Sequence, residues 1–253
     1  MTDKQAIFDV YSMYYDLLYK DKDYHAEVDY IDGLLKRHKV NSKKLLEFGS
    51  GTGKHGRLLA ERGYVITGIE QSAQMAALAT PVPGFHCIEG DIRSIRLGRK
   101  FGAVLSLFHV MSYQISNQCV NSVFARAAEH LESDGLFIFD VWYSPAVYSQ
   151  RPVVRIKRMF DDQVEITRIA EPDIFPNENK VNVNYTIFAN RQGTVGTQVL
   201  TEVHSMRHFS MLELELFSTL HGFEIVTAEE FVTARAPGEG TWGVCLILRK
   251  IAS

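Results

Sequence analysis

"LLEFGSGTGKHG", residues 45–56, is the stretch on which the reading of the fold turns. A short apolar run carries a single acid, Glu47, and the chain then passes through a series of glycines and small residues. Three nucleotide-binding loops share this outline. A phosphate-binding P-loop requires G-x-x-x-x-G-K-[ST], with the lysine on the phosphates and the hydroxyl on Mg²⁺. Gly53-Lys54 supplies the glycine-lysine pair, but Phe48 stands at the first glycine and His55 at the hydroxyl, so this pattern fails twice. Gly51-x-Gly53-x-x-Gly56 matches the dinucleotide fingerprint literally, with Glu70 at a suitable distance for a ribose contact. Read one step earlier, the pattern is Glu47-x-Gly49-x-Gly51-x-Gly53, with the acid inside the strand.

Outward from the loop, strands and helices alternate. Residues 22–38 place Val28, Ile31, Leu34 and Leu35 on one helical face ahead of the strand "KLLEFG". A helix with Leu58 and Leu59 follows the glycines and stops at Gly63. "YVITGIE", "FHCIEGD" and "FGAVLSLFH" read as strands two to four. Val120, Val123, Phe124, Ala127 and Leu131 recur at helical spacing, and "SDG" then turns the chain into "LFIFDVW", the fifth strand. This alternation predicts an α/β fold with a doubly wound, mainly parallel sheet.

Beyond residue 150 the texture changes. "VNVNYTIFAN" alternates strictly, with Val181, Val183, Tyr185 and Ile187 on one face, and "QVLTEVHSMRHF" is a further strand candidate. Residues 151–209 therefore read as an antiparallel sheet inserted into a core made of residues 1–150 and 210–253. Ser210 and Glu213 form a capping box for a helix ending at Gly222, and two closing strands follow, "FEIVTAEEF" and "TWGVCLILRK".

Composition excludes several classes. The 253 residues carry a net charge of -3, which gives no general pull toward nucleic acid or acidic membranes. Cys87, Cys119 and Cys245 are odd in number and form no C-x-x-C pair, so neither a disulfide framework nor a cysteine zinc site is indicated. No run approaches the roughly 18 apolar residues of a membrane span, and the start lacks an apolar signal core. The expectation is a cytoplasmic protein with reduced thiols.

The Glu47–Gly53 pattern resembles motif I of the class I S-adenosylmethionine (SAM)-dependent methyltransferases. A pyrophosphate gains nothing from a neighbouring carboxylate. SAM has no phosphate and carries an ammonium and a sulfonium, so Glu47 can help hold its amino-acid end, while Gly49, Gly51 and Gly53 let the backbone approach. The resemblance extends to Glu70 in "GIEQSAQM", implying a contact to both ribose hydroxyls, with Gln71 and Met75 beside it. It implies that Asp91 in "EGDIRSI" meets the adenine amino group while Ile92 packs on the ring. "LFHVMSY" puts Leu107 and His109 after strand four, where the family faces the methyl group. "HLESDGLFIFDVW" resembles the family's turn and fifth strand, with Ser133-Asp134-Gly135 in place of Pro-Gly-Gly.

Within that family, DNA amino-methyltransferases carry [DN]-P-P-[YF] after strand four, where this chain has Ser106-Leu107-Phe108-His109. No carboxylate cluster suggests a metal-dependent enzyme. His204 and His208, about 13 Å apart on a strand, read as structural or substrate-facing rather than as a metal pair. "YDLLYKDKDYHAEV", "RLGRKFGAVLSLF", "AEHL" and "APGEGTWGV" resemble, in that order, the nucleotide-linked amino-sugar N,N-dimethyltransferases. The resemblance implies in-line attack by an amine, a small-molecule acceptor and a homodimer. It places Tyr19 near the sulfonium, with Tyr15 as the alternative. His109 is the candidate proton acceptor, and Tyr113 and Trp142 are candidates for the sugar pocket. Arg151, Arg155, Lys157, Arg158 and Arg207 are cations available to a diphosphate, and none is assigned to one. Other small-molecule O- or N-methylation, an NAD-dependent oxidoreductase and a non-catalytic SAM-binding protein are the competing readings.

Overall fold

A computed structural model describes residues 17–193 and 195–251. Helix α1 (Tyr24–Arg37) starts where Asp23 accepts a hydrogen bond from the Ala26 N–H, and Lys36 and Arg37 sit in its last turn, against the negative end of the helix dipole. It buries the expected face, Val28, Ile31, Leu34 and Leu35. The chain then runs through β1 (Lys44–Phe48), α2 (Lys54–Glu61), β2 (Val65–Glu70), α3 (Ala73–Leu78), β3 (Phe85–Glu89) and β4 (Phe101–Ser106). A 3₁₀ turn, Val110–Tyr113, leads to α4 (Asn117–His130), capped by Ser116, and to β5 (Leu131–Tyr143).

Four parallel pairings order these strands β3-β2-β1-β4-β5. Helix α5 (Ser144–Ser149) then leads to β6 (Arg155–Phe160), β7 (Val164–Phe175), β8 (Lys180–Arg191) and β9 (Gln198–Phe209), an antiparallel meander. Helix α6 (Met211–Leu220), β10 (Phe223–Glu230) and β11 (Gly243–Lys250) close the chain. Strand β5 forks. Its stretch Leu136–Trp142 pairs antiparallel with β11, and its end, Trp142 and Tyr143, pairs in parallel with His208 and Phe209 of β9. Among the described residues the meander thus pairs with the core sheet at its last two residues, and the rest of its inner face walls a space beside the core.

Alternate residues of the central strands feed two cores, as expected of a sheet covered on both faces. Phe48, Val104, Phe137 and Phe139 pack under α4 and α6, while Leu45, Leu105 and Ile138 pack under α1 and α2. Two local readings change. Ser133-Asp134-Gly135 is not a free turn but a bulge inside β5: Leu131 pairs with Phe101 and Leu136 with Ala103, with Asp134 at φ 60° between them. The capping box at α6 is half-closed. Ser210 accepts from the Glu213 N–H, but the Glu213 carboxylate pairs instead with Arg207.

Phe124 of α4 is fully buried and meets the rings of Phe137, Phe139, Phe217 and Phe223. Phe124→Ala should therefore cost about 3–5 kcal/mol, measurable as a lowered midpoint in urea unfolding with an unchanged slope.

Candidate active site

The strand order reverses between β1 and β4, and at such a switch point the loops beyond the strands' carboxyl ends leave a crevice. It opens here into a cavity of about 460 Å³, walled on one side by the loops after β1, β2 and β4 and on the other by β8 and β9. The three glycines read alike in sequence, but the structure separates them. All have positive φ, at 70°, 55° and 78° for Gly49, Gly51 and Gly53. A Cβ at Gly49 would lie 2.6 Å from Val110, and one at Gly53 would lie 2.5 Å from Phe85. Those two glycines serve close packing. Gly51 has nothing within 4 Å of an added Cβ and faces the open crevice.

Glu70 ends β2 and is nearly buried. Its Oε2 accepts from the Gly51 N–H at 2.8 Å and its Oε1 from the Ser72 N–H at 2.9 Å. Burial pushes its carboxyl up, against backbone N–H groups of Ser72, Gly51 and Gln71 that favour the charge. A carboxylate has about four lone-pair positions, so each oxygen retains room for a further donor from the cavity. Asp91, at the far end, is held by Arg93 through Nε at 2.8 Å and through the backbone N–H at 2.8 Å. Burial works against that carboxylate, and the Arg93 contacts outweigh it and hold the group below its usual range.

Glu47 lies behind the glycine loop, closed off from the cavity, with Oε2 buried and without a hydrogen-bond partner. Burial, and then the neighbouring Glu70, push its carboxyl up to about 8. His55 stands between it and Glu27, with Nδ1 3.9 Å from Glu47 and Nε2 2.6 Å from Glu27, which also pairs with Lys22. An open glycine approach and a half-used strand-end acid fit a ligand that carries two vicinal hydroxyls, whereas Glu47, closed off by the loop and held toward its neutral form by burial, does not present to the cavity the charge expected from the sequence.

After β4, Phe108 and His109 both adopt left-handed backbone, φ 62° each, a strained pair of the kind found at functional sites. Asp140, fully buried in β5, holds the turn: its Oδ2 accepts the His109 N–H at 3.0 Å and lies 2.6 Å from the imidazole Nδ1, off the line of a hydrogen bond. The ring opens to the cavity beside Trp142. On the opposite wall, Tyr113 bonds His204 Nδ1 at 2.8 Å and His204 Nε2 lies 3.1 Å from Glu202.

Of the residues singled out in sequence, Tyr19, Gly49, Gly51, Glu70, Gln71, Met75, Asp91, Ile92, Leu107, His109, Tyr113 and Trp142 line this one cavity. Glu47 and Gly53 stand behind its wall, and Tyr15 lies outside the described residues. His204 and His208 go separate ways, His204 into the cavity and His208 into a bond with Ser144 at 2.8 Å, where burial and then Arg207 push its pKa down to about 4. No group of three or more ligating side chains occurs among the described residues. Sequence reasoning passed over Asp140, Glu202, Tyr185 and the polar face of His55. The signals were present: an acid in the apolar run "LFIFDVW", and Glu202 and His204 two apart on one strand face.

Residues 45–135, from β1 through the β5 bulge, match a family model described as a methyltransferase domain. The chain is 28% identical over 235 residues to the dTDP-3-amino-3,4,6-trideoxy-alpha-D-glucopyranose N,N-dimethyltransferase of Streptomyces venezuelae, covering 92% of this chain and 94% of that one. It is 27% identical over 231 residues to the dTDP-3-amino-3,6-dideoxy-alpha-D-glucopyranose N,N-dimethyltransferase of Streptomyces fradiae, covering 89% and 87%. Among solved structures, Streptomyces venezuelae DesVI superposes with a TM-score of 0.77 at 25% identity over the full length of both chains. The sugar N-methyltransferase KedS8 from a Streptoalloteichus species shares the fold, with a TM-score of 0.81 at 19% identity over 100% and 97% of the two chains. The domain match lies on the glycine loop, both strand-end acids and the start of β5, the likeness runs through the meander as well, and the chain has the fold of the class I, SAM-dependent methyltransferases.

Proposed function

We propose that the protein transfers the methyl group of SAM to the amine of a nucleotide-linked amino sugar. The carrying observation is the cavity that runs from the glycine loop to the inner face of β8 and β9, giving donor and acceptor one continuous space. The full-length similarity to two dTDP-amino-sugar N,N-dimethyltransferases supplies the acceptor class.

In this reading Gly51 lets the backbone approach the donor and Glu70 takes the two ribose hydroxyls, while Glu47 stays behind the glycine loop and supports it from the rear. Gln71 and Met75 flank the ribose, Asp91 and Ile92 hold the adenine, and Leu107 and Tyr19 close on the sulfonium. SAM supplies an electrophilic methyl on a sulfonium, reactive enough that alignment and exclusion of water do most of the work. His109 accepts the proton that blocks the amine's lone pair, and Asp140 holds the turn through the His109 N–H and offsets the charge that forms on the nearby imidazole. Trp142 and Tyr113 wall the sugar.

The proposed division of labour gives SAM binding to the described part of residues 1–150 and 210–253, and the acceptor wall and dimer surface to the described part of residues 151–209. The outer face of the meander exposes Ile156, Phe160 and Val199, apolar surface that a second copy would cover in a homodimer. No helix among the described residues is long and apolar enough to cross a membrane, and we assign the enzyme to the cytoplasm.

Incubation with SAM and a panel of TDP- and UDP-linked amino sugars, read by mass spectrometry, should show a gain of one or two methyl groups on an amino sugar. Absence of any gain in a sample with demonstrated SAM binding would remove the acceptor assignment. His109→Ala should lower kcat on that acceptor by about 100-fold while leaving SAM affinity within about twofold. Undiminished turnover at saturating acceptor would reduce His109 to packing.

A further inference from the structure

At the end of the cavity proposed for the adenine, one neighbour holds the acid. Asp91 follows Gly90 beyond β3 and opens a turn in which its carbonyl accepts the N–H groups of Ser94 and Ile95. Among the described residues, the donors to its side chain all belong to Arg93. The Arg93 backbone N–H meets Oδ1 at 2.8 Å, as in an Asx-turn. Arg93 Nε divides between Oδ1 at 2.8 Å and Oδ2 at 3.0 Å, and Nη2 bonds Oδ2. Arg93 Nη1 lies 3.8 Å from Cys119 Sγ, which rests the guanidinium against α4. Asp91 and Arg93 both line the cavity.

Both side chains are 29% exposed, so as an ion pair they contribute little stability. Their effect on direction is larger. The guanidinium fork on both oxygens, with the main-chain N–H on one, stops the carboxylate from turning about its Cβ–Cγ bond. Three donors occupy about four lone-pair positions, which leaves one acceptor direction, and that direction is fixed. Adenine presents an amino donor at its 6-position beside an acceptor, N1. Hypoxanthine reverses the pair, with an oxygen at the 6-position and a hydrogen on N1. A fixed acceptor aimed at the 6-position takes adenine's N–H and repels hypoxanthine's oxygen. A carboxylate free to swing would turn to the hypoxanthine N1–H and so bind both bases.

We propose that Arg93 determines the purine specificity of the methyl-donor site, holding Asp91 so that it admits a 6-amino purine and rejects a 6-oxo purine. This inference rests on the placement of SAM proposed above. Arg93 is a positioning residue here, since Asp91 is the group that meets the base. The same fork keeps Asp91 ionised against its burial, so the group stays an acceptor and offers no hydroxyl to a 6-oxygen. A pair that merely closed the turn would support both bases alike, and its loss would weaken their binding by one common factor.

The test is calorimetric titration of S-adenosylhomocysteine and S-inosylhomocysteine, the demethylated donors with adenine and hypoxanthine, into the wild type, Arg93→Ala, Arg93→Met and Asp91→Asn. Thermal unfolding of the same preparations confirms that each is folded, and methionine keeps the bulk of the arginine stem. The wild type should prefer S-adenosylhomocysteine by about 100-fold, the worth of a hydrogen bond to a charged group. Both Arg93 variants should bring that preference below about tenfold, in part by binding S-inosylhomocysteine more tightly than the wild type does. Asp91→Asn should abolish the preference, because an amide can turn either its oxygen or its N–H groups to the base. A preference that survives in a folded Arg93 variant, with both ligands weakened by one factor, would overturn the role of Arg93. A wild type without a preference would overturn the specificity itself. A preference that survives in Asp91→Asn would instead overturn the placement of adenine on which the inference rests, an outcome read at a different residue.

Discussion

The site depends on one carboxylate that is held before any ligand arrives. Glu70 ends β2 with one oxygen on the Gly51 N–H and the other on the Ser72 N–H, so it ties the glycine loop after β1 to the start of α3. Those N–H groups have no strand or helix partner at these positions, and leaving them unpaired at the edge of a buried crevice would be costly. By satisfying them Glu70 fixes the shape of the loop and is itself fixed. Gly49 and Gly53 follow from the same constraint, since the loop so placed leaves no space for a Cβ against Val110 or Phe85.

On that foundation the cavity acquires two chemically different walls. The core wall carries acids at strand ends, Glu70 after β2 and Asp140 within β5, and uses them to orient a loop and an imidazole. The meander wall carries a phenol–imidazole–carboxylate row. The fork in β5 brings the two together, because the strand that places Asp140 also pairs with β9 at Trp142 and Tyr143. Among the described residues that short parallel pairing is what joins the meander to the core sheet.

Much of this was legible in the sequence, for definite reasons. Glycine spacing, a strand-end acid and alternating apolar runs are local, and they gave the parallel core, the placement of Glu70 and Asp91, and the alternating face of β8. Non-local facts were hidden. Nothing local shows that Asp140 reaches back to His109 or that His204 meets Tyr113 rather than His208. Ser133-Asp134-Gly135 has turn chemistry, and only the pairing of Leu131 and Leu136 with β4 makes it a bulge. The three glycines of one motif looked equivalent because spacing records a need for small residues without saying whether protein or ligand takes up the space.

The most direct test of the account is a calorimetric titration of SAM into the wild type and Glu70→Ala, each shown to be folded. One SAM should bind per wild-type chain. Loss of the charged acceptor should weaken that binding by about 10- to 100-fold, the worth of hydrogen bonds to a charged group. A Glu70→Ala protein that binds SAM as tightly as the wild type, or a wild type that does not bind it, would contradict the account.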